Sequence, residues 1–165
     1  MTKSSWGNHE PVRGSDLTKV TFVLEKADWH DHARETLWAE PVGGHMFRLR
    51  NVPFYAYGVS YDDTVLAPET DEGHVVQGVS ERGGHSTYRI FVSNTEILEG
   101  FPESWTPLEA LGCTLERATA RLFAVDVPPE ADIHEIYDGL KKGETAGVWD
   151  FEEAHVGHVL KAQRH

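Results

Sequence analysis

Arg82-Gly83-Gly84-His85-Ser86-Thr87-Tyr88-Arg89-Ile90-Phe91-Val92 is the stretch whose reading decides the fold. A Gly-Gly pair at mid-chain leads into residues of high strand propensity in which polar and apolar side chains alternate. The stretch therefore reads as a joint between two halves and as the first strand of the second half. Downstream, Asn94-Thr95-Glu96 is a helix N-cap signal. The helix it opens is interrupted at Pro102, restarts at Thr106-Pro107 and stops at Gly112. Residues 113–116 and 121–127 follow as a pair of strands. Pro128-Pro129-Glu130 opens an amphipathic helix with Ile133, Ile136, Tyr137 and Leu140 on one face, closed by Gly143. Residues 148–153 make the last strand. The order β-α-β-β-α-β is the ferredoxin-like pattern.

Upstream the rhythm is different. Strands are expected at 19–25, 35–41, 45–50, 64–67 and 74–81, with Gly43-Gly44 as a two-residue hairpin turn. The polar segment 27–34, containing Trp29-His30-Asp31-His32, reads as a loop. Asn51-Val52-Pro53-Phe54-Tyr55-Ala56-Tyr57-Gly58-Val59-Ser60-Tyr61 reads as an irregular crossover. Short strands joined by tight turns predict a strongly bent antiparallel barrel of the SH3-like kind. The expected architecture is α+β: a flexible arm over 1–16, the barrel over 17–82, a ferredoxin-like unit over 83–156 and a tail over 157–165.

Composition narrows the functional classes. The 165 residues carry 39% hydrophobic and 25% charged side chains, a globular balance. No apolar run approaches the ~20 residues of a membrane helix, and the N-terminal residues lack the apolar core of a secretory signal. With one cysteine, Cys113, an intrachain disulfide is impossible, and the cytoplasm is the expected compartment. The net charge of −12 is shared between the halves, −5 over 1–82 and −7 over 83–165. That argues against nucleic acid, whose backbone needs clustered Lys and Arg, and favours a basic protein partner.

Six segments occur together in a familiar order. They are Leu37-Trp38-Ala39-Glu40-Pro41; Asn51-Val52-Pro53-Phe54 with Gly58-Val59-Ser60; Gly84-His85-Ser86-Thr87; Leu108-Glu109-Ala110-Leu111-Gly112-Cys113; Ala124-Val125-Asp126-Val127-Pro128-Pro129; and Trp149-Asp150-Phe151-Glu152-Glu153-Ala154. Across residues 18–158 the chain resembles the bacterial family known as domain of unknown function 4265. The resemblance implies bacterial origin and one shared architecture. It supplies no activity, cofactor or catalytic residue.

Two constellations carry candidate chemistry. A ferredoxin-like second half would set Arg89 opposite Asp150 or Glu152, on a face left open. It would also gather His85, Ser86, Glu153, His155 and His158 at one corner, where histidine beside carboxylate suits acid–base work. No CxxC, HExxH or G-x-S-x-G motif accompanies them, so no metal, cofactor or nucleophile is expected. The other constellation is Tyr55, Tyr57 and Tyr61, more tyrosine than a short crossover readily buries. Asp62, Asp63, Glu69, Asp71 and Glu72 form an acidic rim nearby in sequence. The expectation is a non-catalytic binding or regulatory protein, for instance of the immunity or antitoxin type. The alternative is a small enzyme or ligand-binding protein with a cleft between the halves around His85, Arg89, Glu153 and His155. Oligomeric state is not legible.

Overall fold

A computed structural model describes residues 16–26, 28–93 and 99–160. Residues 1–15 of the expected arm, 161–165 of the expected tail and the cap signal at Asn94-Thr95-Glu96 lie outside the described residues. The first half contains β1 (Thr18–Val23), β2 (Arg34–Gly43), β3 (Met46–Leu49), β4 (Thr64–Leu66), β5 (Glu69–Thr70), β6 (Gly73–Val75) and β7 (Gly78–Glu81). They form one curled, half-barrel sheet in the order β5-β6-β1-β2-β3-β4-β7. Burial alternates with period 2, giving the sheet one inner face. On β2, Glu35, Leu37 and Ala39 point inward while Arg34, Thr36 and Trp38 point out. Leu37 and Ala39 join Val20, Phe47, Leu49 and Val65 in a core that also takes Ala56 and Val59 from the crossover.

Two details depart from the expected pattern. The β2–β3 turn residues are Gly44 and His45, with φ of 63° and 61°, because Gly43 pairs with Met46 after a register shift at Pro41. This is the doubly left-handed turn that two-residue hairpins favour, one residue later than Gly43-Gly44. The expected strand over 74–81 is two strands. β6 runs parallel to β1, whereas β7 lies antiparallel to β4 on the opposite edge of the sheet. The chain crosses between them at Val76 and Gln77. The Val76 N–H donates to the Thr21 carbonyl and the Gln77 N–H to the Leu66 carbonyl, each at 2.8 Å. Consecutive amides thus draw the two ends of the sheet together, which one straight strand could not do.

The second half contains β8 (Ser86–Phe91), α1 (Phe101–Ala110), β9 (Thr114–Arg117), β10 (Leu122–Val127), α2 (Ile133–Thr145) and β11 (Asp150–His155). Its four-stranded sheet has the order β11-β8-β10-β9, antiparallel throughout. Both helices pack against this sheet. Tyr88 and Ile90 of β8, with Val92 just beyond its end, join Phe101, Trp105, Leu108, Ile133, Ile136, Leu140 and Trp149 in the larger core. The molecule is a mixed α+β structure, mostly strand.

The helices differ from expectation in instructive ways. α1 is one helix, not a broken pair: Pro102 occupies the first turn, where a missing N–H costs nothing, and the chain continues through Pro107. The Thr106 hydroxyl donates to the Pro102 carbonyl at 2.7 Å. α2 starts later than Pro128-Pro129-Glu130, because the Asp132 carboxylate caps the amides of His134 and Glu135. Gly143 does not close it. The glycine lies inside α2 because the Trp149 ring fills the space a side chain would need. No helix among the described residues is long and apolar enough to cross a membrane.

The sheet face expected to be open is covered. Thr87 and Arg89, on the face away from the helices, are both 0% exposed because the crossover of the first half lies over them. At Thr87 and Arg89 the halves therefore share a closed interface.

A Cβ built on Gly143 would sit 2.2 Å from the Trp149 ring, whereas one on Gly78 meets nothing within 4 Å. Gly143→Ala should therefore lower stability by about 1–3 kcal/mol. Gly78→Ala should leave it within about 0.5 kcal/mol. Urea-unfolding midpoints of the two variants check the contrast.

Candidate functional site

The interface between the halves is organised by two buried charges acting on one loop. Glu35 projects from β2 into the interior, where its carboxylate accepts the N–H groups of Phe54 (2.6 Å), Tyr55 (3.0 Å) and Ala56 (2.9 Å). From the other side, Arg89 on β8 donates to the Tyr55 carbonyl (3.3 Å) and to the Ala56 carbonyl. Burial pushes the Arg89 pKa down, and the charges of Glu35 and Glu152 oppose that. A guanidinium remains a cation in such a setting, so its partners are obligatory. Glu152 is its register partner on β11, with the ion pair at 3.6 Å. Asp150 pairs in register with Phe91 instead.

Arg89 also leads to the surface. Its guanidinium lies 4.8 Å from the Tyr57 ring centroid. The Tyr57 hydroxyl donates to the Glu152 carboxylate at 2.9 and 3.0 Å and accepts the Trp29 indole N–H at 2.6 Å. Burial, then the Glu152 hydrogen bond, raises the Tyr57 pKa. Trp29 and Tyr57 are nevertheless 48% and 42% exposed. Trp29 continues into an aromatic cluster. It meets Phe91 edge-on at 4.8 Å, and His32 stacks on Tyr55 at 4.1 Å. These rings wall a cleft of about 370 Å³ at the Phe91 end of β8, with Asp150 and Arg121 also lining it. The His30 imidazole, buried behind them, accepts the His32 N–H on Nδ1 (2.9 Å) and faces the Asp28 carboxylate with Nε2 at 3.5 Å.

The corner expected around His85, Ser86, Glu153, His155 and His158 is several separate contacts, because neighbouring strand residues face opposite sides of the sheet. His155 turns toward the first half, where its Nδ1 meets the Ser60 hydroxyl (2.8 Å), itself 2.7 Å from the Thr87 hydroxyl. Ser86 faces the other way. Its hydroxyl meets His158 Nδ1 at 2.6 Å and accepts the Gly157 N–H at 2.8 Å. Ser86 is fully buried, and these bonds fasten residues 157–158, so the expected tail begins as a docked segment. Glu153 accepts from the Tyr88 hydroxyl at 3.3 Å. His85 pairs with Asp126, a residue the sequence reading did not single out, at 2.9 and 3.0 Å. No local pattern marks Asp126; it is brought there by the pairing of β10 with β8. None of His85, Arg89, Glu153 and His155 lines the cleft between the halves.

The tyrosine and carboxylate set is also dispersed. Tyr61 packs edge-on against His85 (5.2 Å) and under Arg50 (5.7 Å). Asp62 pairs with Arg50 at 2.8 Å and Glu72 with Arg34 at 2.6 Å. Asp71 is exposed. Asp63 is not a rim residue at all: it is buried, accepting from the amides of Ser60 and Gly83 and pairing with Arg82. Among the described residues no group of three or more His, Cys, Asp or Glu side chains is placed to hold a metal. The Cys113 thiol is buried, which with the Asp126 charge raises its pKa to about 12.

The family model described as "Domain of unknown function (DUF4265)" matches residues 35–151. No curated protein matches the chain. The fold is similar to the crystal structure of a hypothetical protein from Neisseria gonorrhoeae, with a TM-score of 0.70 and 19% identity over 86% of this chain and 96% of that one.

Two histidines should leave opposite marks on the pH dependence of stability. Burial lowers the His85 pKa, but the hydrogen bond and charge of Asp126 outweigh it, so the net shift is upward. Its contribution is full below the unfolded value of about 6.5 and is lost as pH rises through the folded value. Burial and the Arg82 charge hold His155 low. Its contribution is present above about 6.5 and declines as pH falls. Relative to His85→Asn, the wild type should gain stability on acidification from about pH 8 to 5; relative to His155→Gln it should lose stability. Urea titrations across that range check both signs.

Proposed function

The chain belongs to the DUF4265 family, and we propose that this member is a non-catalytic binding protein that engages a basic protein partner through the Trp29–Tyr57 surface. The observation that carries this reading is the state of those two rings: large, exposed and already held in place. Aromatic anchors contribute most when little side-chain freedom is left to lose on binding. Here the indole N–H, the phenol and Glu152 form one continuous chain of hydrogen bonds. Asp28 is partly exposed and Asp31 and Asp150 are exposed on the segments that carry the cluster. Together with the net charge of −12, they favour a cationic surface opposite. Asp62, Asp63 and Glu72 already have cationic partners within the chain, so the surface lies nearer Trp29 than to those turns. An immunity or antitoxin role in the cytoplasm is the concrete form of this reading, supported by small size, acidity and a single buried thiol.

The same reading assigns the two halves to known architectures. For the first, short strands and the bridging amides of Val76 and Gln77 support an SH3-like barrel. For the second, the β-α-β-β-α-β order and the sheet order β11-β8-β10-β9 support a ferredoxin-like unit.

A second reading, small-ligand binding, is favoured by the cleft of about 370 Å³ that both halves line. Its size falls within the range of small-molecule pockets. It places the ligand against Trp29, Tyr55 and Phe91, away from His85, Glu153 and His155.

Affinity capture from the native host, with wild type, Trp29→Ala and Asp150→Lys as baits, separates the readings. A specific basic partner should be retained by wild type and lost from Trp29→Ala. Asp150→Lys should slow association, and raising salt from about 0.1 to 1 M should weaken it as the screening length falls from ~10 to ~3 Å. A partner indifferent to Trp29 and to salt overturns the proposal. A small molecule that co-purifies with wild type and not with Trp29→Ala supports the second reading instead.

A further inference from the structure

On the far side of the second sheet, α1 and α2 leave a groove of about 520 Å³ between them. Its floor is apolar: Leu108 is fully buried, Leu111 is 36% exposed, and Gly139 and Ala146 complete the α2 side. The groove owes its depth to Gly139, where a Cβ would come within 2.6 Å of the Leu108 side chain. Glycine there lets Leu108 sink against α2. The rim is acidic, with exposed Glu103 on α1, exposed Glu135 and Asp138 on α2, and Lys142 as the cation among the lining residues.

Pro107 adds an unusual acceptor. A proline has no N–H to return to the carbonyl four residues earlier, so the Glu103 carbonyl lacks its helical donor. Glu103 and Pro107 both line the groove.

We infer that the α1–α2 groove is a docking surface for a cationic amphipathic helix of a partner protein. Charge complementarity selects the occupant. The apolar floor takes residues at i, i+3, i+4 and i+7 of such a helix, while its Lys or Arg side chains meet Glu103, Glu135 and Asp138. α1 and α2, of 10 and 13 residues, span about 15 and 20 Å, which matches three to four turns of a partner. This surface lies across the sheet from Trp29 and Tyr57, so the inference stands whether or not the aromatic surface binds anything.

The test uses the full chain, labelled for NMR, and a synthetic peptide of about 14 residues made of Leu and Lys with its leucines on one helical face. At about 0.15 M salt, shifts should be confined to residues of α1 and α2 that line the groove. Leu111→Glu and the pair Glu135→Lys, Asp138→Lys should each weaken binding about tenfold or more, as loss of an anchor or of rim charges does. Glu81→Lys, on the other sheet, should leave it unchanged. A scrambled peptide of the same composition, which lacks the one-sided pattern, should bind about tenfold more weakly. The inference is overturned by shifts centred elsewhere, by equal binding of the scrambled peptide, by indifference to both groove variants, or by absence of binding at millimolar peptide.

Discussion

Glu35 and Arg89 grip residues Phe54 to Ala56 from opposite sides, and the rest of the molecule depends on that grip. The carboxylate takes three amides and the guanidinium takes two carbonyls, so a stretch with no secondary structure of its own has its polar backbone satisfied in the interior. Each charge needs the loop, and the loop needs both charges. Removing one member of such a set leaves the other buried and uncompensated, a loss of several kcal/mol. A methionine at position 89 would fill the space but satisfy neither carbonyl. The grip also joins the halves, since Glu35 belongs to the first sheet and Arg89 to the second.

This arrangement explains which parts of the fold were legible in the sequence. β8 was readable because Tyr88, Ile90 and Val92 alternate with Thr87 and Arg89. α2 was readable because Ile133, Ile136 and Leu140 recur at helical spacing. Those signals are local and come from burial on one face. The division of 74–81 into two strands was not readable, because it depends on the partners that Val76 and Gln77 find in β1 and β4. Gly143 misled for a related reason: glycine ends helices, yet here it makes room for a tryptophan six residues on.

The candidate site was less legible than the fold. Tyr55 and Tyr57 stood out as too much aromatic surface for a crossover, and both belong to the cluster. Trp29 did not stand out, being surrounded by Asp, His and Lys in a segment of loop composition. A tryptophan with no local strand or helix to serve was the available signal. The acidic residues misled because proximity in sequence is a poor guide to exposure: Asp62 and Asp63 are neighbours, yet one is half-buried beside Arg50 and the other fully buried beside Arg82. The Asp126 partner of His85 lies 41 residues away along the chain.

The bridging amides of Val76 and Gln77 have a consequence for how this molecule meets others. A sheet normally advertises itself through its edges, where unpaired N–H and C=O groups invite another strand to join. Here the first sheet ends in β5, of two residues, and β7, of four, with the chain between them already tied to β1 and β4. In the second sheet, the β11 edge is broken by an irregularity between Glu153 and His155, and the Ala154 carbonyl is taken by the Gly58 amide. The other edge of that sheet is β9, of four residues, so among the described residues the edges left to a foreign strand are short. Recognition by this molecule is thereby left to side chains, and crowding many copies together gives them few places to add strand upon strand.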